Sequence, residues 1–361
     1  MEQKATIQIL ENISLKERTT FKIGGVARFF VSVTTKSELA EALAFARARG
    51  VNILILGGAS NILMDDRGFD GLVISIDNRG REIIGETSEM VFLRVAAGEI
   101  LDEVVAWTVE HGWWGIENLS LIYGKFGAIA IQNVGAYGQQ ASDCIQSVDV
   151  IETATGQRRE FSARECGFDY RKSIFNTSEK GKYVIWDITV GLCKNPKPVL
   201  TYPDLKEYFE TYSGQPSQAE IRKAIIEIRQ RKLPDPIKTP NSGSFFKNII
   251  LTPEQYDIAR ETIGKNFGEE ATIRLDDMRN KFSQPNSGKI KIPAGFIMDQ
   301  LLGLKGMRVG DAQLSEQQVI CIINIGNATS DDVRMLYQKV CNIVLEKTGL
   351  TLTHEPEFIG S

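Results

Sequence analysis

Histidine is nearly missing from this chain: His111 and His354 are the only two among 361 residues. The five cysteines, Cys144, Cys166, Cys193, Cys321 and Cys341, are scattered and form no CxxC pair. That set offers no ligand spacing for a metal centre and reads as free core thiols in a reducing compartment. Long apolar runs are lacking too. No stretch reaches the roughly 18 uninterrupted apolar residues of a membrane span, and Met1-Glu2-Gln3-Lys4 is not the start of a signal peptide. The expectation is a cytoplasmic protein with no membrane insertion. There is also no surplus of positive charge. A net charge of −4 argues against a general nucleic-acid binder, whose footprint is a basic face. Any anionic ligand must therefore meet a local basic cluster. No GxGxxG follows a strand and no GxxxxGK[ST] occurs, so classical Rossmann and P-loop readings fail. No GxSxG elbow is present, and neither histidine has an identifiable triad partner, which argues against a serine hydrolase.

What is present is an ordinary globular composition, 42% hydrophobic and 24% charged. The length suits two or three domains of about 150 residues each. Thr35 and Glu38 have capping-box spacing, Leu39 and Leu43 give an apolar face, and Gly50 stops the predicted helix. Val51-Asn52-Ile53-Leu54-Ile55-Leu56 then reads as a buried strand. Residues 91–96 and a helix through Val104, Val105 and Val109 repeat the unit. The glycine-rich stretch 117–138 predicts extended backbone that approaches a ligand closely. Mixed strands follow over 148–190. Ser217 and Glu220 cap a helix carrying Ile221, Ala224, Ile225 and Ile228, which Pro234 and Pro236 end. Beyond it the pattern predicts a helix after Thr252-Pro253, an irregular polar segment at 280–289, and a helix at 294–302. A strand at 319–324 and a helix at 330–347 complete the chain.

Chemistry can be placed at four points. The turn Gly57-Gly58-Ala59-Ser60-Asn61 can turn backbone N–H groups toward a phosphate, with two side-chain donors added. Arg171 offers a fixed fork of donors for an oxyanion, or a surface salt bridge. Ser244 is a hydroxyl set between Gly243 and two phenylalanines, a setting more often of a turn residue than of a catalyst. Glu355 and Glu357 lie near the chain end, where a solvated tail is the plain alternative.

Six motifs occur in order: Thr20-Phe21-Lys22-Ile23-Gly24-Gly25, Leu56-Gly57-Gly58-Ala59-Ser60-Asn61, Gly115-Ile116-Glu117-Asn118-Leu119, Ile131-Gln132-Asn133-Val134-Gly135-Ala136-Tyr137-Gly138, Tyr170-Arg171-Lys172-Ser173 and Gly243-Ser244-Phe245-Phe246-Lys247-Asn248. From about Thr19 to Gly360 the chain resembles the UDP-N-acetylenolpyruvoylglucosamine reductase family. Pro198-Val199-Leu200-Thr201-Tyr202-Pro203-Asp204-Leu205 is similar to the substrate-covering tyrosine loop of its longer, type I form.

The resemblance implies an α+β fold. It would combine a two-part FAD-binding module of the vanillyl-alcohol oxidase type with a C-terminal substrate-binding domain. The expected boundaries are 1–80 and 81–233 for the FAD module, joined by the tail 350–361, and 234–349 for the substrate domain. It implies FAD and NADPH as cofactors and UDP-N-acetylglucosamine enolpyruvate as substrate. NADPH reduces FAD, and reduced FAD then reduces the sugar nucleotide in a cytoplasmic step of peptidoglycan precursor synthesis, hence of cell wall, shape and division. Ser244 matches the proton donor, Arg171 the stabiliser of the enolate, and Glu355 the assisting carboxylate. Gly57, Gly58, Ala59, Ser60 and Asn61, with Gly124, Gly127, Gln132, Asn133, Gly135, Ala136 and Tyr137, match the FAD site. Tyr170, Tyr202, Arg229, Lys232, Asn248 and Gln300 match substrate positions. No metal and no nucleic acid are expected, and a monomer is favoured.

The chain departs from the family pattern in places. Tyr123-Gly124-Lys125-Phe126-Gly127-Ala128-Ile129-Ala130 lacks both usual prolines, which predicts a looser flavin loop. Ala59 replaces a glycine and is strained if its φ is positive. Ile249 replaces a proline, and Gln313-Leu314-Ser315 replaces Gly-Val-His. Aligning the end on Phe-Ile-Gly selects Glu355 as the carboxylate, whereas aligning on Glu-Pro-Glu selects Glu357. Two rivals follow: another flavin oxidoreductase on the same scaffold, or a sugar-nucleotide binding protein with weakened flavin binding.

Overall fold

The computed structural model describes residues 7–283 and 288–360. The start at Met1-Glu2-Gln3-Lys4 and part of the polar stretch 280–289 lie outside the described residues. Contacts divide the chain into two units. The first takes residues up to Ile13, Val26–Ala59 and Phe69–Arg229; the second takes Ser14–Gly25, Ser60–Gly68 and Gln230 onward.

In the first unit, Thr35 and Glu38 cap helix α1 (Lys36–Arg49) reciprocally, and Gly50 ends it at φ 62°. The helix buries Leu39, Ala42, Leu43 and Ala46. A four-stranded sheet has the order Leu10–Ser14, Val26–Val33, Phe69–Ile76, Asn52–Leu56. The last three strands run parallel. Asn52–Leu56 is an edge strand and only half-buried, which corrects the expectation of a fully buried one. A second, antiparallel sheet has the order Arg158–Ser162, Ile145–Glu152, Tyr183–Cys193, Met90–Ala96, Arg81–Glu86. Helix α2 (Leu101–Glu110) covers this core with Val104 and Val105. The short α3 (Pro203–Tyr208) and α4 (Gln218–Lys232) follow. Ser217 and Glu220 cap α4 as their spacing predicts. Its Ile221, Ala224, Ile225 and Ile228 pack with Trp114, Tyr137 and Leu205. Each fully buried isoleucine contributes about 1.5–3 kcal/mol of transfer free energy.

The stretch 117–138 is not extended. It is built from 3₁₀ turns at Glu117–Leu119 and Phe126–Ala130, with a two-residue strand at Gly135–Ala136. Small residues here permit close turns packed against neighbours. A Cβ on Gly127 would lie 2.6 Å from the Ala97 side chain.

In the second unit, Thr252 and Gln255 cap α5 (Pro253–Phe267), and Gly268 at φ 85° turns the chain into α6 (Glu269–Phe282). Only Ala271, Thr272 and Leu275 of α6 are buried, too sparse a stripe to read from sequence. Helical structure near 294–302 takes the wider π form at Phe296–Leu301. The strand expected at 319–324 shrinks to Ile322–Asn324, because Cys321 closes a turn onto the Gln318 carbonyl. Helix α7 (Ser330–Thr348) buries Val333, Leu336, Val340 and Val344. Strand Glu357–Ile359 pairs in parallel with Ile62–Met64.

Candidate active site

The first unit brings the two glycine loops together. A Cβ built on Gly58 would stand 2.6 Å from the Gly124 Cα and 3.1 Å from the Lys125 nitrogen. Only glycine permits that approach. The neighbouring Gly57 is less crowded, with the nearest atoms to a Cβ there about 4.0 Å away, on the Ala128 and Lys125 side chains. Ala59 does adopt a left-handed backbone, φ 49°, as its glycine-like position required. That conformation costs an L-residue about 1–2 kcal/mol.

The missing prolines do not leave this loop loose. The Lys125 ammonium donates to the Ile76 carbonyl (2.7 Å), Asp77 Oδ1 (2.6 Å) and Ser75 Oγ (3.3 Å). Burial would raise the Asp77 carboxyl, but Lys125, Ser32 and Ser75 outweigh it and hold it below its ordinary value. Backbone bonds from Leu101 to Gly124, Phe126 to Glu99 and Gly127 to Ala97 complete the anchorage. The loop's entry is fixed as well. Asp102 accepts from the Leu121 N–H (2.5 Å) and from both ends of the Arg222 guanidinium (2.6 and 2.9 Å). Arg229 donates to the Leu121 carbonyl at 3.2 Å.

Arg171 sits on a tight reversal in which Asp169 and Lys172 exchange backbone hydrogen bonds. Its φ is 54°, so the corner forces a left-handed arginine. The guanidinium donates to the Gly135 carbonyl (2.8 Å) and lies 5.1 Å over the Tyr170 ring. Asn133 stitches the same region: Nδ2 donates to the Asp169 carbonyl (3.3 Å), and Oδ1 accepts from the Ser142 N–H (2.9 Å). Gly135 and Ala136 pair with Gln139 and Gln140, with Tyr137 at φ 48° and Gly138 at φ 88° as the two corner residues. Gln132, half-buried, sits in the turn before this hairpin. The Tyr137 ring meets Tyr202 edge-on at 5.2 Å. Burial, followed by nearby Asp204, pushes the Tyr202 phenol up to about 12, so it is a neutral donor at physiological pH.

In the second unit, Asn241 Oδ1 accepts from the Gly243 N–H (2.7 Å), and Gly243 turns at φ 76°. Phe245 and Phe246 are fully buried, and both N–H groups donate to the Ile320 carbonyl. Half-buried Ser244 is thus held between a fixed turn and two anchors. The Glu355 N–H donates to the Phe245 carbonyl (2.8 Å), one residue from Ser244. Glu357 is not a solvated tail residue: it is half-buried, opens a strand, and donates from its N–H to the Asn61 carbonyl (3.1 Å). Asn61 Nδ2 in turn reaches the Glu355 carbonyl at 3.4 Å. Both Ser60 and Asn61 belong to this unit. Asn248 accepts from the Ala294 N–H, Gln300 is exposed and accepts from Arg274, and Lys232 is half-buried at the end of α4.

Sequence reasoning gave no role to Lys125 or to the buried Glu117, Asn118 and Gln139. A lysine between two glycines of a small-residue loop was the available signal for the first. Glu117 and Asn118 stand in one of the six motifs, but nothing local there shows that they are buried and bonded to Gln139.

Residues 27–162 match the family model described as an FAD binding domain. Residues 235–359 match that of the UDP-N-acetylenolpyruvoylglucosamine reductase C-terminal domain. The UDP-N-acetylenolpyruvoylglucosamine reductase of Bdellovibrio bacteriovorus is 35% identical over 350 residues, 97% of this chain and 99% of that one. This chain belongs to the UDP-N-acetylenolpyruvoylglucosamine reductase family. The reductase of Flavobacterium johnsoniae is 36% identical over 98% of this chain and all of its own. The solved UDP-N-acetylenolpyruvylglucosamine reductase of Thermus caldophilus shares the fold, with a TM-score of 0.65 at 23% identity, over 98% of this chain and 99% of that one. Among the described residues no helix is long and apolar enough to cross a membrane, and no cluster of side chains could hold a metal ion.

Proposed function

We propose that this reductase converts UDP-N-acetylglucosamine enolpyruvate to UDP-N-acetylmuramate in the cytoplasm, using NADPH and FAD. Full-length likeness to reductases of that name carries the reading. The close packing of the two glycine loops supports the cofactor reading: with no side chain on Gly58, the loop at 57–61 can lie against Gly124, and small-residue turns of this kind can present backbone N–H groups to a phosphate. Gly57, Gly58, Ala59, Ser60, Asn61, Gly124 and Gly127 are assigned to the cofactor, with Gln132, Gly135, Ala136 and Tyr137 beside them. Asn133 is assigned a supporting part, since its amide is committed to Asp169 and Ser142. When bound there, FAD would supply the hydride-transfer chemistry that links NADPH to the substrate's double bond.

The chain's own groups handle the charge and the proton. Arg171, whose guanidinium is oriented by the Gly135 carbonyl, is assigned to the substrate carboxylate, where negative charge grows as the double bond is reduced. Ser244 is assigned to give its hydroxyl proton to the carbon beside that carboxylate, with Glu355 assisting. Neutral Tyr202, with Tyr170, Arg229, Lys232, Asn248 and Gln300, is assigned to the sugar nucleotide. These cations supply the positive charge that the acidic average of the chain conceals.

Purified protein should be yellow, release FAD on denaturation, and turn over NADPH continuously, beyond the single reduction of its flavin, only when the enolpyruvyl sugar nucleotide is present. A colourless protein that still binds the nucleotide would replace this reading with that of a binding protein.

A further inference from the structure

Asn118 is completely enclosed and lies in a line of buried polar groups. The Gly115 N–H donates to Glu117 Oε2 (2.8 Å), Gln139 Nε2 donates to Glu117 Oε1 (2.7 Å), and the Asn118 N–H donates to Gln139 Oε1 (2.9 Å). This line fixes the Asn118 backbone. Its side chain then does something the network does not need. Asn118 Nδ2 donates twice, to the carbonyl of Tyr137 (2.8 Å) and to that of Val199 (2.9 Å). Two carbonyls facing one end of the amide identify that end as nitrogen. Asn118 Oδ1 is left buried with no partner among the described residues. A buried, unpaired acceptor is unfavourable, so the side chain's contribution lies in its two donated bonds.

Those bonds join two segments far apart in sequence. Tyr137 is a corner of the hairpin at 135–140, while Val199 belongs to the stretch 194–202, which has no helix or strand and leads into Tyr202. The segments touch twice more. A Cβ on Gly138 would meet Val199 and Thr201 at 3.2 and 3.3 Å, and the Tyr137 and Tyr202 rings pack edge-on.

We propose that Asn118 is a positioning residue that clasps the 194–202 segment to the Tyr137 turn, presetting Tyr202 for the sugar nucleotide. The proposal rests on the function assigned above only in naming that ligand. The clasp itself concerns the protein alone.

The test compares holoenzyme carrying Asn118→Asp or Asn118→Ala with the unchanged protein. Asn118→Asp keeps the shape but sets a carboxylate against two carbonyls, whereas Asn118→Ala removes the bonds alone. The expected result is faster amide hydrogen exchange confined to 194–202 and a rise of about tenfold or more in KM for UDP-N-acetylglucosamine enolpyruvate, the scale of two lost buried hydrogen bonds. Reduction of bound flavin by NADPH should stay within about twofold, because the proposal gives Tyr202 a part only in holding the sugar nucleotide. Unchanged exchange at 194–202 overturns the proposal. So does exchange rising throughout the unit, with flavin released and both half-reactions slowed together, since that describes a residue holding up the fold. If the unchanged protein does not consume the sugar nucleotide, the functional reading fails, and the exchange pattern alone decides the clasp.

Discussion

Ser244 and Arg171 can be separated from their surroundings by half-reaction kinetics. Ser244→Ala leaves the turn at Gly243 and the buried Phe245 and Phe246 in place, so flavin reduction by NADPH should be nearly unchanged. Reoxidation by the sugar nucleotide should fall by roughly 10²–10⁴-fold, the usual worth of a proton donor. Equal loss in both halves would mean that the serine is structural. Arg171→Lys keeps the charge but loses the planar fork held against the Gly135 carbonyl, and should also slow reoxidation severely. The carboxylates need a paired test. Glu355 is tied through its backbone to Phe245, beside Ser244, and Glu357 to Asn61. Glu355→Gln should therefore slow reoxidation strongly and Glu357→Gln only slightly, read by stopped-flow absorbance of the flavin. A reversed result hands the role to Glu357, and two silent variants remove a carboxylate from the mechanism.

At the scale of elements, the glycine loops make opposite predictions at adjacent residues. Gly58→Ala must push a Cβ into the Gly124 backbone at 2.6 Å, separating the loops. It should yield protein with little bound FAD, measured by the ratio of absorbance at 450 nm to 280 nm. Ala59→Gly relieves a left-handed alanine at φ 49°. It should leave stability unchanged or raise it by up to about 1 kcal/mol, the relief of strain being set against the freer unfolded chain. A loss of flavin from Ala59→Gly would show that the strained backbone serves binding. The loop 123–130 makes the same point about how rigidity is achieved. Where proline would have fixed φ, a half-buried lysine whose ammonium is bound at a strand end anchors the loop instead.

For the whole molecule, acid should act through a few carboxylates that are buried or half-buried against basic partners. Burial alone would raise the Asp102 carboxyl, but Arg222 and the Leu121 N–H more than offset this and hold it below its ordinary value. Asp65 is held low first by Arg67 and further by Arg334, against burial. A carboxyl lowered in the folded state favours folding at pH above its unfolded pKa of about 4, and that contribution fades as pH falls through the folded value. Thermal midpoints should thus be flat near neutrality and drop below about pH 4. Asp102→Asn should lower the neutral midpoint and flatten the acid slope; an unchanged slope would assign the acid loss to other carboxylates.

Local chemistry by itself determined much of this protein. Thr35 with Glu38, Ser217 with Glu220, and Thr252 with Pro253 begin helices where their spacing says they should, because a capping bond reaches only three residues. The order of small-residue motifs likewise located the loops of the candidate site. What only the tertiary structure decided involves partners distant in sequence. Residues Ser14–Gly25 and Ser60–Gly68 belong with the C-terminal unit, and Glu357–Ile359 finds its strand partner at Ile62–Met64. Gly58 meets Gly124, Lys125 reaches the end of Phe69–Ile76, and Asn118 joins Tyr137 to Val199. None of these carries a periodicity or a spacing, since the hydrogen bonds and close approaches exist only after the sheets have brought the segments together.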